Sequence, residues 1–398
     1  MKKVLIVLLI FIILLCGCGE DFLNEKTYGK TTSGVWLSYN EIGEMLSSAR
    51  GLKTELENVI SNCNKLGIEN VYIHVHSHCD SLFSSKYFPI NDYSKIYDYD
   101  VFEYMLTEFH NNNIKVHAWI NPYRVRTTDS DINNLNSESP AYKWLTDNDI
   151  QNDRNVSLLG GIYLNPASSE VQALIINGIR EIIQNYGVDG IAFDDYFYPT
   201  TDVEFDRLSY EEYKATAKKA LSLEDWRRAN VNTLISACHN AIKAKDEDIV
   251  FTVSPSHSIE KNYNELYADA KFWIENGIVD VLMPQLYFGF SYPEEEYRFD
   301  NLLSEWKKLL RENKKVKLII SLPVYKIGTD SEADFIEWNS CEDIIARQVD
   351  ICYKDSCVEG YVFFSYTSLF SENELNVKQR ENLMQTFKRQ KNAEDNNG

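Results

Sequence analysis

Several motifs that mark common enzyme classes are missing from this 398-residue chain. Neither a G-x-G-x-x-G pattern nor a P-loop occurs, so no phosphate-cradling loop argues for an open, doubly wound sheet. The G-x-S-x-G elbow of serine hydrolases is also absent, which makes a Ser-His-Asp hydrolase a weak interpretation. The eight cysteines show no spacing typical of a metal site.

Basic residues are also fewer than acidic ones. The chain has 40 lysines and arginines against 60 aspartates and glutamates, for a formal net charge of −20. A surface with this excess of negative charge disfavours nucleic acid and other polyanions as partners. With 44% hydrophobic and 25% charged residues the composition is that of a globular protein. We therefore expect a folded domain whose ligands are neutral or of mixed charge.

The apolar run at the N-terminus is too short for a comfortable membrane span. It lies within "MKKVLIVLLIFIILLCGCGE", behind Lys2 and Lys3. This pattern predicts a secretory signal peptide over residues 1–18. The stretch Leu15-Cys16-Gly17-Cys18 resembles a bacterial lipobox, which implies that Cys18 carries the lipid that holds the protein at the membrane. The alternative is an uncleaved anchor helix, and in both cases the folded part lies outside the cytoplasm.

The composition divides the rest of the chain into three segments. Residues 19–33 are polar and unpatterned, which predicts a tether. Residues 389–398 predict a flexible tail. Residues 34–388 then form one domain, for which we expect a monomer. Its cysteines are even in number and permit disulfides without dictating a pairing; they are Cys63, Cys79, Cys238, Cys341, Cys352 and Cys357.

Short β-rich runs alternate with helical patterns along this domain. After the first run, for example, apolar residues recur at helical spacing from Leu52 to Leu66, and Gly67 then ends the helix. Eight such units favour one closed barrel over an open sheet. We therefore predict an α/β fold, a (β/α)8 TIM barrel. The eight runs are "GVWLSY", "NVYIHVH", "IKVHAWI", "GIAFDD", "IVFTVS", "VDVLMPQLYF", "VKLIISLP" and "GYVFFSY".

Two connections are longer than a barrel needs. They cover about residues 126–159 and 199–221. Long ordered loops in a compact domain usually shape a binding site. We expect both to border the mouth of the barrel.

Polar side chains gather where the predicted strands end. In a (β/α)8 barrel this is the edge that carries the active site. The polar residues at these ends are His76, His78, Asp80, Asn121, Tyr123, Arg124, Asp194, Asp195, Ser254, His257, Gln285, Tyr287, Tyr325, Lys326 and Tyr366.

The pair Asp194 and Asp195 ends the strand "GIAFDD". Neighbours on a strand point to opposite faces, so Ala192 and Asp194 share one face while Ile191 and Phe193 share the other. The bulky pair should pack against helices, which aims Asp194 into the barrel mouth. Asp195 stands where the strand ends, and it either turns into the site or anchors the next loop.

Aromatic residues crowd the same predicted rim. Sugar rings stack their C–H faces on aromatic rings, and two carboxylates can supply acid and base, or acid and nucleophile, for glycosidic cleavage. The alternatives are that the aspartates are loop anchors or helix caps and that the rings belong to an aromatic core. The aromatic residues are Trp36, Tyr123, Tyr196, Tyr198, Tyr287, Phe288 and Tyr366.

A metal-dependent hydrolase or deacetylase is a further alternative. It would use His76, His78 and Asp80. Alternating strand histidines without additional ligands at a known spacing favour hydrogen bonding instead. We expect neither a metal nor a cofactor.

Seven segments of the chain, taken together, resemble the bacterial glycosyl-hydrolase-like family 10. The resemblance implies a TIM-barrel glycosidase, often exported or lipidated, that acts on a glycan outside the cell. Some members of the family are associated with peptidoglycan strands stripped of their peptides. The segments are "GVWLSYNE", "HAWINPYRV", "YLNPASSEV", "VDGIAFDDYFYP", "MPQLYFGF", "VYKIG" and "GYVFFSY".

The resemblance also implies roles for individual residues. Asp194 and Asp195 match the Asp-Asp-Tyr-Phe-Tyr-Pro motif that carries the catalytic role, and Asp80 matches a recurring acidic position after strand two. His76 stands where the family typically has arginine, so a group whose charge depends on pH replaces a permanent cation. The positions that match the family's cleft motifs are His117, Asn121, Tyr123, Arg124, Asn165, Gln285 and Tyr287. We expect His76 and Tyr196 to contact the substrate as well.

The sequence thus predicts a lipid-anchored glycoside hydrolase of the bacterial envelope, with peptidoglycan strands as the leading substrate. We expect Asp194 to act as nucleophile or base, and Asp195 or Asp80 to donate the proton or tune it. Glu260 is a less favoured second carboxylate. The main alternative is a carbohydrate-binding lipoprotein that performs no chemistry.

Overall fold

A computed structural model describes residues 31–311, 315–330 and 335–397 of the chain. The predicted signal peptide, the lipidation site Cys18 and the tether up to residue 30 lie outside the described residues. Among the described residues, no helix is both long and apolar enough to cross a membrane. The six cysteines of this part are all free thiols.

Eight parallel strands close into a barrel in the order β1-β2-β3-β7-β8-β9-β10-β11, with β11 back beside β1. This confirms the predicted (β/α)8 fold. Three further strands form a small antiparallel sheet in the order β4-β6-β5. The strands are β1 (Thr32–Leu37), β2 (Asn70–His76), β3 (Lys115–Ile120), β4 (Arg124–Arg126), β5 (Val156–Ser157), β6 (Ile162–Leu164), β7 (Gly190–Phe193), β8 (Val250–Val253), β9 (Val281–Leu282), β10 (Lys317–Leu322) and β11 (Gly360–Phe363).

Helices connect the strands and surround the barrel. The helix before β7 is capped by Ser168, whose Oγ accepts a hydrogen bond from the Val171 amide at 3.1 Å. The helices are α1 (Tyr39–Ser47), α2 (Gly51–Leu66), α3 (Val101–Asn111), α4 (Pro140–Thr146), α5 (Ser169–Asn185), α6 (Arg207–Thr216), α7 (Leu223–Lys245), α8 (Ile259–Asn264), α9 (Ala270–Asn276), α10 (Phe299–Leu310), α11 (Phe335–Ser340), α12 (Ile344–Lys354), α13 (Tyr366–Leu369) and α14 (Glu374–Asn397). Single 3-10 turns span Ser94–Ile96, Ile132–Asn134, Asn152–Asn155, Val203–Phe205, Glu295–Tyr297 and Val324–Lys326.

The two faces of the strands pack into two separate cores. The barrel interior is filled by Trp36, Tyr72, Trp119, Ala192, Val281, Met283, Ile319 and Val362. The larger core lies between strands and helices, and it takes Ile191 and Phe193 from β7. The predicted alternation of β7 is therefore confirmed. Because side chains fill the barrel, polar chemistry is confined to the carboxyl ends of its strands.

The structure differs from the predicted segments at both ends of the domain and adds detail within one connection. β1 begins at Thr32, two residues inside the predicted tether, because Thr32 and Ser33 pair with Gly360 and Tyr361 of β11. The connection over 126–159 is partly ordered as α4 and the small sheet. Helix α14 continues to Asn397, so residues 389–397 of the segment predicted as a flexible tail are helical. The tail continues from a helix that already buries Leu383, and good helix formers such as Arg389, Gln390 and Lys391 extend it.

Candidate active site

A cavity of about 600 Å³ opens at the carboxyl ends of the barrel strands. Its walls come from β1, β2, β3 and β4 and from the segments that follow β7, β8, β9, β10 and β11. The sequence-predicted residues that line it are Trp36, Arg124, Asp194, Asp195, Tyr196, Ser254, Gln285, Tyr287 and Tyr325.

Asp194 points into this cavity and is 4% exposed. Its Oδ2 accepts hydrogen bonds from Trp119 Nε1 at 3.0 Å and from Asn121 Nδ2 at 2.6 Å. Its Oδ1 accepts one from the Tyr196 backbone amide at 3.3 Å. Asn121, predicted to bind substrate, thus orients the carboxylate of Asp194.

The surroundings of Asp194 raise its pKa to about 7. Burial is the main cause, and the charge of Asp195 adds to it. Arg124 and the hydrogen bonds from Trp119 and the Tyr196 amide oppose the shift. A carboxyl group with this pKa exchanges its proton near neutral pH, as an acid catalyst must.

Asp195 also turns into the cavity, which settles the choice that the strand pattern left open. Its Oδ1 accepts a hydrogen bond from Gln285 Nε2 at 3.1 Å. The same amide nitrogen lies 3.1 Å from the carbonyl oxygen of Ser254, so Gln285 is fixed between two neighbouring strands. Burial raises the pKa of Asp195, and the Gln285 hydrogen bond opposes that rise.

Aromatic rings form much of the wall around the two aspartates. Ser321 Oγ fixes two of them, since it lies 3.1 Å from Trp36 Nε1 and 2.9 Å from Tyr287 Oη. The Tyr287 ring stacks near Phe364 with centroids 5.8 Å apart. Tyr196 is 47% exposed and stands at the rim. These rings offer flat apolar faces beside polar groups.

His117 is not in the cavity, contrary to the sequence prediction. It lies deeper in the barrel, stacked on Tyr72 at 4.5 Å, with Nε2 3.1 Å from Asn70 Oδ1. A Cβ atom at Gly190 would come within 2.3 Å of its Nδ1, so glycine makes room for the ring. Burial lowers the pKa of His117 to about 4, which keeps it neutral as part of the barrel core.

Tyr123 and Asn165 also lie away from the cavity. Tyr123 is 1% exposed and belongs to the core between strands and helices. Asn165 Nδ2 donates to the Arg154 carbonyl oxygen at 2.9 Å and to Ser209 Oγ at 3.0 Å. The motifs that surround these residues therefore hold the long loops in place.

Three of the predicted rim aromatics are displaced as well. Tyr198 is fully buried against the Arg227 guanidinium, and Tyr366 Oη accepts a hydrogen bond from Asn62 Nδ2 at 2.9 Å. Phe288 stacks on Tyr297 at 5.7 Å.

His76 is replaced in the cavity by His74. The pairing of β2 with β3 shifts register between His74 and His76, so the two residues leave the simple alternation of a strand. His76 packs against Phe83 and Phe88 on the outside, and its Nδ1 lies 2.6 Å from the Asp80 carbonyl oxygen. His74 lines the cavity, stacked on Trp119 with centroids 3.6 Å apart.

Asp80 organises a turn outside the Asp194 cavity. Its Oδ1 accepts hydrogen bonds from the backbone amides of Ser77 and His78, at 3.1 and 2.9 Å, and from Ser77 Oγ at 3.0 Å. It lines a neighbouring cavity with His78. Within the described ranges, no group of three or more His, Cys, Asp or Glu side chains is arranged to hold a metal ion.

Sequence reasoning missed the contribution of α1. Tyr39, Asn40, Glu41 and Glu44 all line the cavity. The missed signal is the S-x-x-E pattern directly after β1, a capping box in which Glu41 Oε2 accepts from the Ser38 amide at 2.7 Å.

The other oxygen of Glu41 reaches across the barrel mouth. Its Oε1 accepts from Ser365 Oγ at 2.7 Å and from the Thr367 amide at 2.6 Å. Glu41 therefore ties the start of α1 to the segment after β11, and both border the cavity. Glu260, the less favoured carboxylate, lines a different cavity beside α9 and α10.

A closed (β/α)8 barrel with its polar groups gathered at one mouth places this protein among the TIM barrels. The chain belongs to the family described as Glycosyl hydrolase-like 10, which it matches over residues 31–339. It is 31% identical over 388 residues to glycosyl hydrolase DigH of Escherichia coli K12, covering 87% of this chain and 84% of DigH. It is 30% identical over 358 residues to glycosyl hydrolase YngK of Bacillus subtilis 168, covering 83% of this chain and 66% of YngK.

Solved structures with little sequence identity share the fold. The glycoside hydrolase domain of PgaB (BpsB) from Bordetella bronchiseptica has a TM-score of 0.60 at 12% identity, covering 88% of this chain and 98% of that domain. α-L-fucosidase isoenzyme 2 from Paenibacillus thiaminolyticus has a TM-score of 0.57 at 11% identity, covering 89% of this chain and 49% of the fucosidase.

Proposed function

We propose that this protein is a glycosidase that cleaves a glycan outside the cytoplasm by carboxylate acid/base catalysis. Its family and its relatives named as glycosyl hydrolases support a glycan-acting hydrolase. The observation that carries the proposal is Asp194, a buried carboxyl group whose pKa is raised to about 7 beside a second carboxylate in an aromatic cavity.

In this proposal Asp194 donates the proton to the departing glycosidic oxygen. Two N–H groups already occupy its Oδ2, whereas Oδ1 accepts only the longer hydrogen bond from the Tyr196 amide among the described residues. Oδ1 is therefore the oxygen that carries the proton. This revises the sequence-based hypothesis, in which Asp194 was the nucleophile or base.

Asp195 is then the second carboxylate. The amide of Gln285 donates to it and stabilises its ionised form. It acts either as the nucleophile or as the base that activates water, the two roles open to the partner of a glycosidase acid. The aromatic walls formed by Trp36, Tyr287 and Tyr196 hold the sugar rings.

We extend the proposal to the place and the substrate of the reaction. The leader sequence and its lipobox-like end support export and a lipid anchor at Cys18. An enzyme held there meets the glycans of the cell envelope. Peptidoglycan strands that have lost their peptides are the leading substrate.

Product release measured by mass spectrometry tests the activity. The wild-type protein is incubated with peptide-free peptidoglycan strands and with a panel of neutral polysaccharides, beside Asp194→Asn and the control Glu260→Gln. We expect fragments from wild type and Glu260→Gln, and a rate lower by about 10²- to 10⁴-fold for Asp194→Asn. Unchanged products from Asp194→Asn would exclude its catalytic role. Tight glycan binding without product from any variant would instead support the non-catalytic carbohydrate-binding lipoprotein.

An aryl glycoside of the sugar so identified separates the two roles of Asp194. A dinitrophenolate leaves without being protonated, so a variant that lacks only the acid should keep far more activity on it than on the natural linkage. Equal losses of Asp194→Asn on both substrates would return Asp194 to the role of nucleophile or base.

A further inference from the structure

Arg124 is the one cation among the described residues that line the Asp194 cavity, which also holds four carboxylates. It is 8% exposed. Its guanidinium carbon lies 4.9 Å from the ring centroid of Tyr196 and 5.4 Å from that of Tyr39. Both rings therefore lie within cation–π distance of the guanidinium.

The hydrogen-bonding capacity of this guanidinium is only partly used. Nε donates to the Ser77 carbonyl oxygen at 3.1 Å, while the buried Nη2 has no hydrogen-bond partner among the described residues. Arg124 is near enough to lower the pKa of Asp194 and Asp195, yet neither hydrogen-bonds to it among the contacts of the described chain. A charge withdrawn from water is normally paired or fully hydrogen-bonded.

His74 provides a second unpartnered group in the same cavity. It is 3% exposed, and no hydrogen bond of good geometry reaches either of its ring nitrogens from the described residues. Its ring is fixed by stacking on Trp119. The cavity therefore holds two rigid polar side chains that suit an oxygen-rich group.

We propose that Arg124, assisted by His74, binds a carboxylate carried by the glycan substrate and so determines specificity. The inference rests on the proposed function. The planar fork of a guanidinium matches a carboxylate in a bidentate contact, which a neutral hydroxyl or amide cannot replace. In a peptidoglycan strand without peptides the muramic acid carboxylate is free, whereas an attached peptide converts it to an amide. A uronic acid would offer the same group on the sugar ring.

The test compares two forms of one substrate. Peptide-free peptidoglycan strands are used as such or after their carboxylates are converted to methylamides. We expect wild type to prefer the free carboxylate in kcat/KM by roughly 10- to 100-fold, the range for hydrogen bonds to charged groups. Arg124→Gln should bring that ratio close to one. Arg126→Gln is the matched control, because Arg126 is paired with Asp129 and lies outside the Asp194 cavity, and it should keep the wild-type ratio.

Two results would overturn the proposal. One is equal cleavage of both forms by wild type. The other is an equal loss on both forms in Arg124→Gln together with a shift of the alkaline limb of the pH profile to higher pH, which would make Arg124 a tuner of the two aspartates. Cleavage of hyaluronan oligosaccharides is measured separately. A preference for them over peptidoglycan strands would mean that the recognised carboxylate belongs to a uronic acid.

Failure of the proposed function is distinguishable from failure of this inference. If wild type releases no product, equilibrium binding to the same two strand preparations still tests whether the cavity recognises the carboxylate. Tighter binding of the free-carboxylate form, lost in Arg124→Gln and kept in Arg126→Gln, would support the carboxylate site without catalysis. Equal binding of both forms, or none, would overturn it.

Discussion

Two buried arginines of this barrel each lie beside two tyrosine rings, and they differ in how completely the protein satisfies their hydrogen-bonding groups. Arg227 lies 5.1 and 5.2 Å from the ring centroids of Tyr198 and Tyr267. Arg124 lies at similar distances from the rings of Tyr39 and Tyr196. The rings are alike, and the difference lies in what the guanidinium groups bind.

Arg227 is completely satisfied. Its Nη2 and Nε contact Asp206 at 2.6 and 3.0 Å, and further hydrogen bonds reach the Asp202 carbonyl oxygen and Tyr267 Oη at 2.7 and 3.1 Å. Asp206 itself is 3% exposed. This pair clamps the long connection after β7 onto α7.

Arg124 instead keeps an unused donor at the barrel mouth. Burial of a charge is tolerated when its partners are complete, and it costs free energy when they are not. A guanidinium that the fold leaves incomplete is therefore a group held ready for a ligand. The comparison predicts opposite consequences for removing the two charges.

The largest effect on stability should come from breaking the satisfied pair. Asp206→Asn leaves the buried Arg227 without a charged partner and should lower the free energy of unfolding by about 3–5 kcal/mol. Asp225→Asn is the control, since the side chain of Asp225 is 53% exposed in its pair with Arg228 and should contribute about 0–1 kcal/mol. Urea unfolding of both variants checks this, and equal shifts would contradict it.

A second, smaller effect concerns how the stability of the folded protein changes with pH through Asp194, which lies in the same cavity as Arg124. The folded-state pKa of Asp194 is raised to about 7, above its ordinary value of 3.8, so the folded protein binds the proton more tightly than the unfolded chain. Its contribution is favourable below the ordinary pKa and is lost as pH rises towards 7. The melting temperature of Asp194→Asn should therefore gain on wild type between pH 4 and pH 7. If the difference in melting temperature between the two proteins stayed constant from pH 4 to pH 7, Asp194 would not be buried as described.

The smallest effect on stability should come from removing Arg124, the arginine whose hydrogen-bonding groups are only partly satisfied. Arg124→Gln loses ring contacts of about 0.5–2 kcal/mol but also relieves the cost of burying a partly satisfied guanidinium. We expect the free energy of unfolding to change by no more than about 1 kcal/mol, while substrate preference changes strongly. A loss as large as that of Asp206→Asn would mean that Arg124 has a structural partner.

Much of the fold could be predicted from local patterns. Strand β7 shows why, because Ala192 and Asp194 alternate with Ile191 and Phe193 and the structure keeps that alternation. When small or polar residues alternate with bulky ones, only one orientation of the strand places the small or polar side chains inside the barrel and the bulky ones against the helices. The helix end at Gly67 was predicted for an equally local reason, and the structure ends that helix at Leu66 with Gly67 as its cap.

The candidate site was predicted less completely, since its side chains depend on contacts between distant segments. A register shift in the pairing of β2 places His74 rather than His76 in the cavity, and the residue pattern of the strand does not predict this shift. His117 has the spacing of a site residue but stacks on Tyr72 inside the barrel. Glu41 reaches the site through hydrogen bonds to residues more than 300 positions away along the chain.

The sequence by itself determined the number of βα units, the inward face of β7 and the carboxylate pair at its end, because strand and helix periods depend on neighbours along the chain. The tertiary structure decided which polar groups meet at the mouth. It placed Glu41 and His74 beside the aspartates, withdrew His117 and Tyr123 into the cores, and left Arg124 without a carboxylate partner among the described residues. Pairing and desolvation are set by groups that approach only when the barrel closes, and these two quantities control the charge of each side chain.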